Sequence, residues 1–74
     1  TLYVSVKNQQ IKINAGALQM EKIEILDVSG RIIYIQKGVQ ASTAIIDQIT
    51  ASNQMLIVRI TTKENGTSSH KIVF

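Results

Sequence analysis

Two short apolar stretches joined by Asn65-Gly66 constrain this chain more than anything else in it. In the first, Leu56, Val58 and Ile60 alternate with Ile57, Arg59 and Thr61. A period of two marks a strand with one buried face. Asn65-Gly66 is the dipeptide that supplies the positive φ angles of a tight hairpin turn. The returning stretch closes on Lys71-Ile72-Val73-Phe74. A strand that runs to the last residue is expected to be ordered to its final side chain, where most termini fray. The carboxyl end is therefore a candidate for what a partner reads.

The same alternation recurs upstream. Residues 2–6 read as a first strand, residues 7–9 as a turn, and Gln10-Ile11-Lys12-Ile13-Asn14 as a second strand. Ala15-Gly16-Ala17 reads as a loop with Leu18 and Met20 tucked behind it. Residues 22–28 form a third strand. In it Ile23 and Ile25 share one face while Leu26 and Val28 fall on the other, so the strand is either buried on both sides or bulged near its end. Ser29-Gly30 turns, with Asp27 placed to bond nearby backbone N–H groups. Residues 31–36 make a fourth strand, Lys37-Gly38 turns again, and residues 39–42 connect loosely to a fifth strand at residues 43–47. A polar loop over residues 48–53 leads to the final hairpin. The one helical competitor, residues 15–25, fits a helical stripe poorly, whereas Ile23-Glu24-Ile25 fits a strand. Seven short strands at close spacing, with no proline to interrupt them, predict an antiparallel β-sandwich.

At 74 residues the chain has room for one small domain. It has no cysteine, so neither disulfides nor thiolate metal sites hold it together. Its isoleucines suit pleated, half-buried surfaces. No apolar run approaches the roughly 20 residues of a membrane helix, and no membrane insertion is expected. The net charge of +3 comes from basic residues that are scattered along the chain, without a block of like charge. With only Tyr3, Tyr34 and Phe74 available for stacking, nucleic acid is not expected as a partner.

Chemistry is sparse. His70 is the single histidine, and beside Lys71 it reads as a solvent-facing strand residue. Asp27, Asp47 and several serines are available in principle to complete a triad with it, but triads are defined by geometry that chain order does not show. One histidine and five dispersed carboxylates make a poor ligand set for a metal. No cofactor is expected and no enzyme. Gly30 and Gly66 read as turn residues that need positive φ. Asn65-Gly66-Thr67 satisfies the glycosylation sequon but reads as a hairpin turn. Lys71 suits either a charge that guards an edge strand from aggregation or the register point of a strand that adds to a partner's sheet.

Three segments together resemble the C-terminal sorting domain of type nine secretion cargo in Bacteroidetes (type A). They are residues 23–31, Ile-Glu-Ile-Leu-Asp-Val-Ser-Gly-Arg; residues 53–60, Asn-Gln-Met-Leu-Ile-Val-Arg-Ile; and Gly66 followed by Lys71-Ile72-Val73-Phe74. Their order and spacing carry the likeness. Many members have two adjacent lysines before the last apolar residues, and here the first of the pair is His70.

The resemblance implies an immunoglobulin-like sandwich, with residues 1–74 a single C-terminal domain excised from a larger exported protein. It implies a non-catalytic signal that directs an N-terminal cargo domain from the periplasm through an outer-membrane translocon. A sortase then removes the signal and leaves the cargo at the cell surface or secreted. Lys71, Ile72, Val73 and Phe74 would form the strand the translocon reads. Gly30, Asn65 and Gly66 would hold turn geometry, and Asp27 and Arg31 would brace the central hairpin. The expected state is a monomer or a weak edge-strand dimer. The competing expectation is an adhesive or spacer β-sandwich of a surface protein, which shares the fold but does not need the last four residues.

Overall fold

A computed structural model describes residues 2–49 and 54–74. The described residues are all-β, with seven strands: β1 Tyr3–Lys7, β2 Gln10–Asn14, β3 Met20–Asp27, β4 Ile32–Ala41, β5 Thr43–Ile46, β6 Met55–Thr62 and β7 Gly66–Val73. They form two antiparallel sheets, β1-β2-β5 and β4-β3-β6-β7, packed as a small immunoglobulin-like sandwich.

Alternation explains the layering. In the smaller sheet Val6 pairs with Ile11 and Ile11 with Ile46, while Val4 pairs with Ile13 and Ile13 with Ala44. These rows face inward. From the larger sheet Ile23, Ile25, Leu56, Val58 and Ile60 answer them, all fully buried. Ala15, Met20 and Ile49 close the ends of the same cluster, and Leu18, Ile33, Tyr34, Ile72 and Phe74 pack on its margin. The core is thus almost wholly aliphatic. Burying one such side chain contributes about 1.5–3 kcal/mol, which is how a domain this small accumulates stability.

Hairpins join β1 to β2, β3 to β4 and β6 to β7, and the chain crosses between the sheets three times. In the first hairpin Asn8 (φ 53°) and Gln9 (φ 62°) both take left-handed backbone, which matches the twist of the flanking strands.

The fourth strand differs from expectation. Lys37-Gly38 is not a turn and residues 39–42 are not a loose connection: β4 runs unbroken from Ile32 to Ala41. It does so by bulging. Met20 pairs with Ala41 but Lys22 with Lys37, and the additional residues on β4 include Gly38 (φ 67°) and Gln40 (φ 51°). Positive φ at these two points bends the strand so that, one residue later at Ser42, the chain enters the other sheet as β5. The Ala15 N–H donates to the Ser42 carbonyl at 2.7 Å and pins the corner.

Of the two alternatives for the third strand, both hold in part. The β3–β4 register shifts between Ile25 and Leu26, and residues 23–26 are all buried. The strand begins at Met20, ahead of its expected start, and Val28 falls in the turn, 72% exposed. Asn53, the first residue of the second segment of likeness, and the end of the polar loop lie outside the described residues.

Candidate recognition surface

The strand expected to be read, β7, pairs along its whole length with β6 and, among the described residues, with no strand on its other side. Val58 lies opposite His70 and Leu56 opposite Ile72, so His70 and Ile72 share the inward face. Ile57 lies opposite Lys71 and Met55 opposite Val73, so Lys71 and Val73 point out. The four residues singled out in the sequence therefore do two different jobs. Ile72 and Phe74 pack on the core, and the Phe74 N–H donates to the Gln54 carbonyl at 2.8 Å. Lys71 is exposed and Val73 is 69% exposed.

The turn that starts β7 departs from the sequence expectation. Only Gly66 has positive φ, at 71°; Asn65 does not. Thr62 pairs with Gly66 across three intervening residues, so the loop is longer than a two-residue turn. Thr62 holds it: its Oγ1 accepts from the Asn65 N–H at 3.1 Å and donates to the Gly66 carbonyl at 3.4 Å. Asn65 thus serves the turn through its backbone N–H.

At the β3–β4 turn the expectation for Asp27 holds. Asp27 Oδ1 accepts from the Ser29 N–H at 3.0 Å, the Arg31 N–H at 3.0 Å and the Ser29 hydroxyl at 2.6 Å. The Gly30 N–H donates to the Asp27 carbonyl at 3.0 Å, with Gly30 at φ 91°. Arg31 Nε lies 3.3 Å from Asp27 Oδ2, though its side chain is largely exposed. The Ser29 hydroxyl first, and then the Arg31 N–H, hold the Asp27 carboxyl below its ordinary pKa, because hydrogen bonds to the ionised form favour it.

Two further residues, not singled out beforehand, organise the outer face of the larger sheet. Glu24 and Arg59 are direct cross-strand partners. Arg59 donates to Glu24 from Nε at 3.0 Å and from Nη2 at 3.2 Å, a two-bond fork. Lys22 Nζ is 3.6 Å from the same carboxylate. Glu24 points away from the core yet is only 5% exposed, covered by the long side chains around it. The hydrogen bond from Arg59 holds its pKa below the ordinary value and raises that of Arg59.

The outer face is laid out in four rows. Met55 and Val73 form the row nearest the Val28 turn. Ile32, Leu26, Ile57 and Lys71 form the next, Ile35, Glu24, Arg59 and Ser69 the third, and Lys37, Lys22, Thr61 and Thr67 the last. Half of the basic residues scattered along the chain are therefore gathered in space. Lys22, Lys37, Arg59 and Lys71 share one face with Glu24, and Glu21 sits at its margin on a bulge.

His70 is not solvent-facing. It is half-buried, turned toward the other sheet, and its Nε2 lies 3.1 Å from the Ser68 hydroxyl. With Leu2, Leu18, Thr62, Asn65 and Gly66 the pair lines a cleft of about 350 Å³. Among the described residues no carboxylate bonds to either member, and Asp27 is engaged at its own turn. The described residues contain no cluster of three metal-ligating side chains and no helix long and apolar enough to cross a membrane.

A family model described as "Domain of unknown function (DUF8694)" matches residues 1–74. No curated protein matches the chain.

Proposed function

The chain belongs to that family over its full length, and we propose that within it the domain is a non-catalytic secretion signal of the type nine kind. In this reading residues 1–74 sit at the C-terminal end of a longer exported protein. The translocon in the outer membrane engages the domain from the periplasm, and a sortase removes it from its cargo at the cell surface.

One observation carries the proposal: β7 is a fully formed edge strand whose outer backbone edge pairs with no strand among the described residues, anchored by Ile72 and Phe74 and displaying Lys71 and Val73. An exposed edge offers unpaired N–H and C=O groups to an added strand. Outward side chains at alternate positions then supply specificity, here one cation and one apolar group. Such a strand arrives preformed, so a partner does not bear the entropy of ordering it. The likeness in the Asp27–Arg31 turn and in β6 adds to this reading, and β6 is the strand that carries β7.

Deleting residues 71–74 removes Ile72 and Phe74 from the core and confounds recognition with folding. The better variant is Lys71→Ala with Val73→Ser, which touches only outward groups. Residues 1–74 are fused behind a fluorescent reporter with an inner-membrane export signal, in a Bacteroidetes host. The expected result is reporter outside the cell with the native domain, periplasmic retention with the double variant, and retention of both when the translocon is deleted. Retention of the native fusion in a competent host overturns the proposal and leaves the adhesive or spacer sandwich. Export of the double variant at the native level overturns the role given to β7.

A further inference from the structure

We infer that the outer face of the β4-β3-β6-β7 sheet is a docking surface for an anionic lipid bilayer, gripped peripherally through an apolar end and a cationic body. The inference shares Lys71 and Val73 with the secretion reading but takes in the whole four-strand face, and vesicles with the domain alone test it without a translocon.

Charge is the first ground. Four cations, Lys22, Lys37, Arg59 and Lys71, occupy outward positions of this sheet, against Glu24 within it and Glu21 at its margin. Even with Glu21 counted, two of the chain's three net positive charges belong to this one face. The remaining cations, Lys7, Lys12, Arg31 and Lys63, are balanced by Asp27, Asp47 and Glu64 to within one charge.

Apolar exposure is the second. Among the described residues seven large hydrophobic side chains are left open to solvent; Tyr3 and Ile45 belong to the smaller sheet, and the other five are Val28, Ile32, Ile35, Met55 and Val73. All five lie on this face or in the turn at its end, and none belongs to the core or its margin.

The order of these groups identifies the occupant. Protein interfaces are concentric, an apolar centre inside a polar rim. Here polarity instead rises in one direction, from Val28, Met55 and Val73, through the Ile32-Leu26-Ile57-Lys71 row, to a mixed row in which Ile35 flanks the Glu24–Arg59 pair, and then to Lys22 and Lys37. Rows on one face are about 7 Å apart, so the two apolar rows match the roughly 5–10 Å to which interfacial elements enter the headgroup–acyl boundary. Arg59, Lys22 and Lys37 then stand at headgroup level or within about a Debye length of it. Arg31, at the apolar end, is paired with Asp27. Self-association through this face opposes like charges. Nucleic acid finds no ring to stack on, because Tyr34 and Phe74 pack on the core and Tyr3 belongs to the other sheet. The expectation of no membrane insertion rested on the lack of a long apolar run. It does not bear on a face assembled from four strands that rests on a membrane without crossing it.

The test is sedimentation of residues 1–74 with vesicles of phosphatidylcholine containing about 30% phosphatidylglycerol, a lipid fraction at which surface charge dominates, against phosphatidylcholine alone. Binding is expected to the anionic vesicles and to weaken with salt. Lys37→Gln with Lys71→Gln is expected to reduce partitioning about 25-fold, near fivefold per cation. Met55→Ser with Val73→Ser is expected to reduce it about tenfold. Lys7→Gln with Lys12→Gln alters net charge equally but lies on the other sheet, and is expected to change partitioning by less than about twofold. Denaturant titration of each variant confirms that it folds. Equal partitioning into neutral and anionic vesicles overturns the inference, and so does an equal loss in the Lys7/Lys12 variant. A soluble peptide of alternating valine and glutamate provides the last arm. If it shifts the amide resonances of this face while anionic vesicles do not, the surface docks protein and the lipid assignment is wrong.

Discussion

Ile72 and Val73 are adjacent, both aliphatic and both β-branched, yet truncating them to alanine should have unequal consequences. Ile72 faces inward opposite Leu56 and packs on the core, half-buried. Val73 faces out opposite Met55 and is 69% exposed. A fully buried Ile→Ala change costs about 2–5 kcal/mol. Half burial scales this to about 1–2.5 kcal/mol for Ile72→Ala. Val73→Ala should stay within about 0.5 kcal/mol of the native domain. For 74 residues total stability is about 4–11 kcal/mol, so the loss at Ile72 is a sizeable fraction of it. Urea unfolding followed by far-UV circular dichroism reads the difference directly. With a slope of about 1 kcal/mol/M for a domain this small, the midpoint should fall by about 1–2.5 M for Ile72→Ala and by no more than about 0.5 M for Val73→Ala. A one-residue slip exchanges every inward and outward side chain of a strand. Equal losses, or a larger loss at Val73, would therefore refute the β7 register and with it the display of Lys71.

Three other outcomes follow from the same geometry. Gly66→Ala should destabilise by about 1 kcal/mol, since an added Cβ meets nothing within 4 Å and only the left-handed backbone at φ 71° resists it; Gly66→Asn should cost less, and a denaturant series ranking the three otherwise sinks the turn assignment. Ile25→Ala, at a fully buried site, should cost about 2–5 kcal/mol and leave a detectable unfolded population at 37 °C by one-dimensional NMR. Acid should unfold the domain through Glu24 and Asp27. Their folded pKa values lie below the ordinary 4.5 and 3.8, so as pH falls the unfolded chain takes up protons first. The stability they contribute is complete above about pH 5 and is lost as pH drops through the ordinary values and then the depressed ones. Glu24→Gln should lower stability at pH 7 and flatten its fall below pH 5; an unchanged slope from pH 5 to pH 2 would show that the Arg59 pair contributes nothing.

What could be read in advance was whatever depends on local alternation. Val4, Ile11, Ile13, Ile23 and Ile25 announced their strands because period two is a property of neighbouring residues, and Asp27 announced its turn because an Asx turn is completed within four residues. The extension of β4 was hidden for the opposite reason. Gly38 resembles a turn residue, and only pairing with β3 turns it into a bulge within a continuing strand. His70 was misplaced because its face is set by register with Val58, twelve residues upstream across the hairpin. The Glu24–Arg59 fork joins positions 35 residues apart, and the single basic face draws on four strands. Neither has a signature in chain order, since each cation looks isolated until sheet pairing brings every second position into line.

The corner at Ser42 has a mechanical consequence. One residue separates a strand of the larger sheet from a strand of the smaller one, leaving no slack for the two layers to part at that end. Opening β5 tugs directly on the bulged end of β4, so the layers are geared together and not merely stacked. Amides of β2 and β5 should then exchange with solvent at the same rate as those of β3 and β6, in one cooperative event.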